Sequence, residues 1–261
     1  MQATFNPNEL VIDKVRFVEF TDLTTNEVIA KLTQLEDPAL KTTAENDSIV
    51  DAVGAEIMKL YKAKKATFTA SNSLFSMNLL ALQIGSDKQV ASDANKIDVP
   101  VDETLTIAGG KAKLSKAPKG EFRYVYVLNK GTISTKLEKA EAAAAGKFAI
   151  SDQDISVDTA TVPDGTKVYV EYTAESANAV KIINKAEDFP KAVGFKASVL
   201  FRDPCTESTY LGAVLADKAK LDPSDIEASF KRDGKHSFTV DLFRNYCEDN
   251  GELYSFVVAQ D

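Results

Sequence analysis

The residue types that most often carry out chemistry in proteins are few and scattered in this chain of 261 residues. Its one histidine, His236, lies in the turn RDGKHSF, and its two cysteines, Cys205 and Cys247, are far apart in the sequence. A general base needs a partner within hydrogen-bond reach, and a structural zinc ion needs four ligands. We therefore expect His236 to be a solvated loop residue. We expect the cysteines to be two reduced thiols, although both lie beside strand-like segments that could meet in the fold.

Acidic side chains are abundant, but their spacing does not form a recognisable site. The segments FRDPCTES and NYCEDNGE place carboxylates at the ends of predicted strands, where we expect solvated turn residues. Asp152, Asp154 and Asp158 are spaced somewhat as in a calcium loop, but the central glycine and the closing glutamate of such a loop are missing. The sequence also lacks GxGxxG, P-loop, HExxH, CxxC and GxSxG motifs. It therefore predicts a protein that is not an enzyme, with no catalytic residue, no bound metal and no cofactor.

The composition is that of an acidic protein with a substantial core. The chain has 44% hydrophobic and 27% charged residues, and its net charge is −8. Tight binding along a nucleic-acid backbone needs clustered Lys and Arg, which this composition does not favour. No basic and apolar leader opens the sequence, and no window reaches the roughly 18 apolar residues of a membrane span. We expect a folded protein made in a cytoplasm, without membrane association, whose acidic surface would repel nucleic acid beside it.

Most of the sequence alternates with the period of β-strands. The segments LVIDKVRFVEF and NEVIAKLTQL, joined by the polar turn DLTTN, predict a hairpin. From Ile97 to Lys181, short strands separated by GG, APKG, NKG and PDG turns predict a separate small β-module. Within that module, STKLEKAEAAAAG fits a short helix and a flexible loop equally well.

The predicted domain organisation is discontinuous. We expect residues 1–96 and 182–261 to form one β-domain that carries residues 97–181 as an insertion, because neither flank is complete alone. The polar segments SDKQVASDANK and NKAEDFP would be the surface connections. Residues 97–181 hold 12 acidic and 11 basic residues, whereas the flanks hold 27 and 20, so nearly all the acidity belongs to the outer domain.

The stretch TFTASNSLFSMNLLALQIGS predicts the one strong helix of the chain. Ser71, Asn72 and Ser73 are candidate N-caps and Gly85 is a natural C-terminal glycine, so we expect a helix from Leu74 to Ile84. A helix that is apolar around nearly its whole circumference must be covered on all sides. Its second face would be covered either by another subunit, in a self-assembly interface, or by the inserted module of the same chain. The apolar residues concerned are Leu74, Phe75, Met77, Leu79, Leu80, Leu82 and Ile84.

The order of these segments resembles that of the major tail, or tail tube, proteins of long-tailed bacteriophages. The resemblance covers the whole chain: an N-terminal hairpin, NSLFSMNLLALQIGS, an inserted β-module, FKASVLFRDPCTESTYLGAVLADKAKL, DIEASFKRDGKHSFTVDLFRNYC and LYSFVVAQD. It implies a mainly β fold, a tail-tube-like sandwich or barrel with one flanking α-helix, together with a small inserted Ig-like module. It implies no catalytic residues.

The resemblance also implies a function. Copies of the chain would form a homo-oligomeric ring, expected to be a hexamer, and rings would stack into the virion's tail tube alongside other tail proteins. Phage DNA would pass through an acidic lumen without specific binding. If the helix lies at the joint between copies, Leu79→Asp with Leu82→Asp should abolish assembly. The loops AENDSIVDAVG and DPCTESTYLG are candidate contacts between rings.

Two other classes of protein fit parts of the pattern. A capsid decoration protein or another head protein could also be built from β-modules with PDGT turns. A surface-binding β-protein, for example one that binds carbohydrate, is disfavoured by the lack of a signal peptide and of tryptophan. Electron micrographs would separate these classes, because a tail protein forms tubes and a decoration protein coats a shell.

Overall fold

The computed structural model describes residues 9–120, 124–224, 226–247 and 251–259. The chain divides into two compact units. Unit 1 comprises residues 1–88 and 182–261, and unit 2 comprises residues 89–181. The boundary between them lies eight residues before the one expected from composition, because Gln89 and Val90 already pair with the end of unit 2.

The described residues form one helix and seventeen strands. In chain order they are β1 (Val11–Thr21), β2 (Val28–Leu32), β3 (Leu35–Val50), β4 (Glu56–Asn72), α1 (Met77–Ile84), β5 (Gln89–Val90), β6 (Ile97–Thr106), β7 (Lys111–Lys113), β8 (Tyr124–Asn129), β9 (Thr132–Lys139), β10 (Lys147–Ser151), β11 (Asp154–Val157), β12 (Lys167–Ser176), β13 (Val180–Lys181), β14 (Val193–Arg202), β15 (Thr209–Leu221), β16 (His236–Phe243) and β17 (Ser255–Ala259). The mainly β fold class expected from the sequence is confirmed.

Unit 1 is built on one eight-stranded antiparallel sheet that is barrel-like and nearly closed. The strand order is β2-β1-β14-β15-β16-β4-β3, and β17 pairs with the first half of β15. The predicted hairpin of the first two segments is confirmed by the antiparallel pairing of β1 with β2. The strands that follow unit 2 in the sequence therefore lie in the middle of the order, and those that precede it flank them on both sides, with β1 beside β14 and β4 beside β16.

The core of unit 1 lies on the inner face of this sheet. Alternate residues of β1, β4, β14 and β16 place four phenylalanines together, and adjacent ring centroids are 5.0–6.4 Å apart. These rings are Phe20, Phe68, Phe195 and Phe238. The fully buried Leu79 of α1 belongs to the same cluster, so the helix packs onto the core of its own unit.

Unit 2 contains a seven-stranded sheet in the order β6-β12-β8-β9-β10-β11-β7. All its pairings are antiparallel except that of β9 with β10. Its own core includes Val125, Leu137, Phe148 and Val168. The short pair β5 and β13 brings the entering and leaving strands of the unit side by side, with Val90 opposite Val180.

Two local expectations from the sequence are wrong. The segment from Ser134 to Gly146 is neither a helix nor wholly a loop: it continues β9 to Lys139, and a turn and loop follow it. Leu137 explains this outcome, because it is fully buried in the core of unit 2 opposite Val125. Helix α1 also begins at Met77 rather than Leu74. The part of the chain that the structure describes contains no helix with the length and hydropathy needed to span a membrane.

Candidate assembly surfaces

Helix α1 is fixed at both ends by residues of its own segment. The N-cap is Ser76, not one of the three residues expected from the sequence, and its Oγ accepts a hydrogen bond from the backbone N–H of Leu79 at 3.2 Å. Asn72 instead ends β4, and its side chain donates to the carbonyl of Leu74. At the other end, Gly85 has φ 73° and donates to the carbonyl of Ala81, as expected for a C-terminal glycine.

The seven apolar residues of the expected assembly interface do not form one surface. Leu79 and Ile84 are buried within the unit, and Met77, Leu80 and Leu82 are half-buried. Leu74 and Phe75 precede the helix and are more than half exposed. A charge at Leu79 would therefore unfold the core of unit 1, so Leu79→Asp cannot separate folding from assembly. The residues of this set that are open to a neighbouring copy are the exposed Leu74 and Phe75 and, in part, the half-buried Met77, Leu80 and Leu82.

His236 is buried, and the expectation that it is a solvated loop residue is wrong. It is the first residue of β16, and its Nε2 donates to Oε1 of Gln83, 2.7 Å away. Gln83 Nε2 in turn donates to the carbonyl of Ser237 at 2.9 Å. The ring of Phe75 stacks on the imidazole, with centroids 5.3 Å apart. Burial lowers the pKa of His236 and so favours the neutral ring, and the hydrogen bond to Gln83 attaches helix α1 to the sheet.

No local pattern of residues signals this contact. Gln83 is 153 residues from His236, and the two meet only because β16 pairs with β4, the strand that precedes α1. Nδ1 of His236 has no hydrogen-bond partner among the residues the structure describes. A proton placed on that nitrogen would therefore add a charge to a buried and uncompensated position.

Strands β3 and β4 extend well beyond the core as a two-stranded ribbon. Every residue from 41 to 65 is exposed, and we call this ribbon the arm. Ion pairs such as Lys62–Asp47 at 2.6 Å run along it. Alternation along the strands places Ile49, Met58 and Leu60 on one face and Ile57 and Tyr61 on the other.

The arm was only partly visible in the sequence. We expected AENDSIVDAVG, residues 44–54, to be a loop. In the structure, residues 44–50 belong to the paired strand β3, and only residues 51–55 form the turn to β4. The alternation that marks a half-buried strand is lost here, because apolar residues occur on both faces. That two-sided apolar pattern, on strands too long for the rest of the sheet, is the signal that could have identified it.

The two ends of the unit 1 sheet are also open. Strands β2 and β3 end the strand order, so each has one edge without a partner strand in the described parts of the chain. The edge of β2 is five residues long, and that of β3 is sixteen. Unpaired edges are positions at which another chain can add a strand.

The other residues that could carry chemistry stay apart. Asp203 is buried rather than solvated, and the backbone N–H groups of Thr206 and Cys205 lower its pKa by donating to the carboxylate. It closes the turn in FRDPCTES, while Glu248 and Asp249 of NYCEDNGE lie outside the described residues. Both cysteines are exposed free thiols.

The aspartates of SDQDISVD do not form a metal site in the structure. Asp158 is held in a turn, where its carboxylate accepts from Ala160 N–H and the Thr161 hydroxyl. Asp154 is paired in β11 opposite Lys113 and Ser151. Within residues 9–120, 124–224, 226–247 and 251–259, no group of three His, Cys, Asp or Glu residues could hold a metal ion.

Comparison with known proteins gives one family. The model of the YomU/Tube protein family matches residues 10–254, which is nearly the whole chain. No curated protein matches the chain significantly. The matched range includes all of unit 2, the arm and helix α1, and every strand of unit 1 that the structure describes except β17.

Proposed function

The chain belongs to the YomU/Tube protein family of phage tail tube proteins, and we propose that its copies assemble into hexameric rings that stack to form the tube through which phage DNA is ejected. Membership of this family makes it a structural component of the virion tail that oligomerises and joins other tail proteins. It also favours a tail protein over a capsid decoration protein or a surface-binding protein. The ring, its stoichiometry and the passage of DNA are the proposal.

The observation that carries the proposal is the arm. Its apolar side chains are exposed on both faces, among them Ile57 at 65%, Met58 at 52% and Tyr61 at 72%. An isolated two-stranded ribbon is at best marginally stable in water, and exposed apolar patches of this kind mark interaction sites. The arm is therefore built to be covered, and in a stacked assembly the neighbouring copies supply the covering surface on both sides.

The open sheet edges support ring formation. If β2 of one copy approaches β3 of the next, the backbone groups of both edges gain partners and the sheets join into one closed barrel. Such a contact is heterologous, since two different surfaces of the same chain meet, and a heterologous contact that closes on itself gives a ring.

The distribution of charge fits a conduit for DNA. Residues 1–88 and 182–261 hold 26 acidic and 19 basic residues, a net charge of −7, whereas residues 89–181 are nearly neutral. A lumen formed by the acidic unit would repel the phosphate backbone, so DNA would slide through it without specific binding.

The proposal can be tested by following assembly of the purified full-length chain. Sedimentation velocity and negative-stain microscopy over a range of concentrations should show rings or tubes for the wild type. Ile57→Ser with Met58→Ser changes one residue on each face of the arm and should leave a folded monomer, because both side chains are exposed. Ile133→Ser in unit 2, at a position 55% exposed, is the matched control and should assemble normally.

Two results would count against the proposal in different ways. A wild-type chain that stays monomeric at all concentrations contradicts assembly itself. An arm variant that assembles like the wild type contradicts the role of the arm and leaves assembly intact.

A further inference from the structure

We propose that Phe230 of one copy inserts into the groove beside helix α1 of a neighbouring copy, an inference that rests on the proposed assembly. Phe230 is 96% exposed, the highest value among the large apolar side chains that the structure describes. A phenyl ring so fully in water is unfavourable unless a partner covers it, and aromatic anchors of this kind are enriched among the residues that dominate interfaces.

The loop that presents Phe230 is ordered. Ala228 pairs with His236, and the backbone N–H of Ser229 donates to the carbonyl of Lys235 at 3.2 Å. The ammonium of Lys235 forms an ion pair with Glu36 of β3, which fastens the loop to the sheet. Since the loop is held in place before any contact forms, little conformational entropy is lost when the ring is buried.

The groove that we assign to the ring lies in unit 1 between α1, the end of β1 and the segment before β14. Its volume is about 350 Å³, and its apolar lining includes Ile29, Ala81, Leu82 and Val193. An apolar cavity of about 150 Å³ is enough to hold a benzene molecule, so a phenylalanine side chain fits this space. This groove adjoins Leu82, one of the helix residues expected from the sequence to face a neighbouring subunit.

One exposed carboxylate at the groove can pair with a cation beside the ring. Lys231 and Arg232 follow Phe230 directly, and the lining of the groove carries two carboxylates, Asp22 and Asp87, and two ammonium groups, Lys88 and Lys191. The side chain of Asp87 is 95% exposed, and its contact with Lys191 is long, at 3.7 Å. Lys231 or Arg232 can therefore pair with Asp87 when the ring is inserted, which favours this orientation over others.

A second copy of the chain is the occupant for a geometric reason. The ring and the groove are different surfaces of the same unit, and the exposure of Phe230 shows that it does not fill its own groove. Two complementary and distinct surfaces give a head-to-tail contact, which is the type that closes a ring of identical copies.

Cross-linking between two different variants tests this contact directly. In a background in which Cys205 and Cys247 are replaced by serine, one variant carries Ser229→Cys beside the ring and the other carries Ser86→Cys at the groove. The variants are mixed under assembly conditions and treated with a short bis-maleimide. We expect a cross-linked dimer in the mixture and at most a trace with either variant alone.

Two controls make that result specific. Adding Phe230→Ala to the Ser229→Cys variant should reduce the cross-link at least several-fold. Tyr246→Cys, at another highly exposed aromatic residue of unit 1, should give only background yield with Ser86→Cys. Equal yields from Ser229→Cys and Tyr246→Cys would overturn the inference.

Assembly measurements give an independent test. Phe230→Ala should raise the concentration needed for half-maximal assembly by about tenfold or more, with an unchanged urea midpoint, as expected for the loss of an aromatic anchor. Lys231→Glu with Arg232→Glu should weaken assembly, and adding Asp87→Lys in the same chain should restore part of it.

The outcomes distinguish this inference from the proposed function. If the wild type forms rings while Phe230→Ala assembles at the same concentration, the contact is wrong and ring formation stands. If the wild type never assembles, both are wrong.

Discussion

Replacing Gly85 by alanine should destabilise unit 1 more than a left-handed backbone conformation alone would. Gly85 ends helix α1 with φ 73° and ψ 18°. A Cβ at this position would lie 2.1 Å from the carbonyl oxygen of Phe189 and 2.8 Å from the nitrogen of Pro190. Real Cβ contacts essentially never fall below 3.0 Å, so the backbone around Phe189 would have to move.

The expected loss of stability has two parts. The left-handed conformation costs an alanine about 1–2 kcal/mol, and the smaller entropy of the unfolded chain returns about 0.4–1 kcal/mol of this. Forcing an additional methyl group into a packed site costs about 1–3 kcal/mol more. We therefore expect Gly85→Ala to lower the free energy of unfolding by about 1–5 kcal/mol, with the middle of the range at about 3 kcal/mol.

Gly251 provides the matched control in the same unit. Its φ is 69°, but the nearest atom to an added Cβ is Nε of Arg244 at 4.0 Å, so Gly251→Ala should show the conformational cost alone. Urea unfolding followed by far-ultraviolet circular dichroism gives both values, if the slope of free energy against urea stays constant. Equal losses for the two variants would refute the steric reasoning. A larger loss for Gly251→Ala would refute it as well.

Three further outcomes follow from the described contacts. Leu79→Ala should lower the free energy of unfolding by about 2–5 kcal/mol because Leu79 is fully buried. Phe75→Ala should lower it clearly less because the Phe75 ring is half-exposed. Urea titrations measure both values. Burial lowers the pKa of His236 below 6.5, so the unfolded chain binds a proton at this residue more readily than the folded chain. The free energy of unfolding should therefore fall as the pH drops below about 6.5, by at most about 1.4 kcal/mol per pH unit. His236→Gln should remove this contribution to the pH dependence. Cys205 and Cys247 should both react with a thiol reagent in the absence of denaturant, and a count below two thiols per chain would contradict their exposure as free thiols.

The sequence alone determined the properties that depend on neighbouring residues. Period-two alternation identified most strands, including the first hairpin, and the left-handed glycine after an apolar run placed the end of α1 at Ile84. The change of composition near Ile97 indicated a second module, and the structure separates residues 89–181 as a compact unit. These signals are local because strand and helix periods are set within a few residues.

The tertiary structure decided everything that depends on distant residues. His236 is buried because the pairing of β16 with β4 brings it to Gln83, and no window of the sequence contains both residues. Helix α1 begins at Met77 rather than at the expected Leu74 because Asn72 is part of β4, where it pairs with His236. STKLEKAEAAAAG likewise does not form a helix because Leu137 is buried in the core of unit 2, and packing outweighs a propensity of about a few tenths of a kcal/mol per residue.

The same distinction applies to the assembly surfaces. The sequence determined that an apolar segment around Leu74–Ile84 exceeds what one sheet can cover, but only the fold decided which of its residues are used within the unit and which stay open. The fold also shows that the arm, rather than the helix, carries the larger uncovered apolar surface. Strands β3 and β4 continue past the last core residue that could cover them. Exposure is a property of the whole fold, and a residue's own sequence neighbours do not set it.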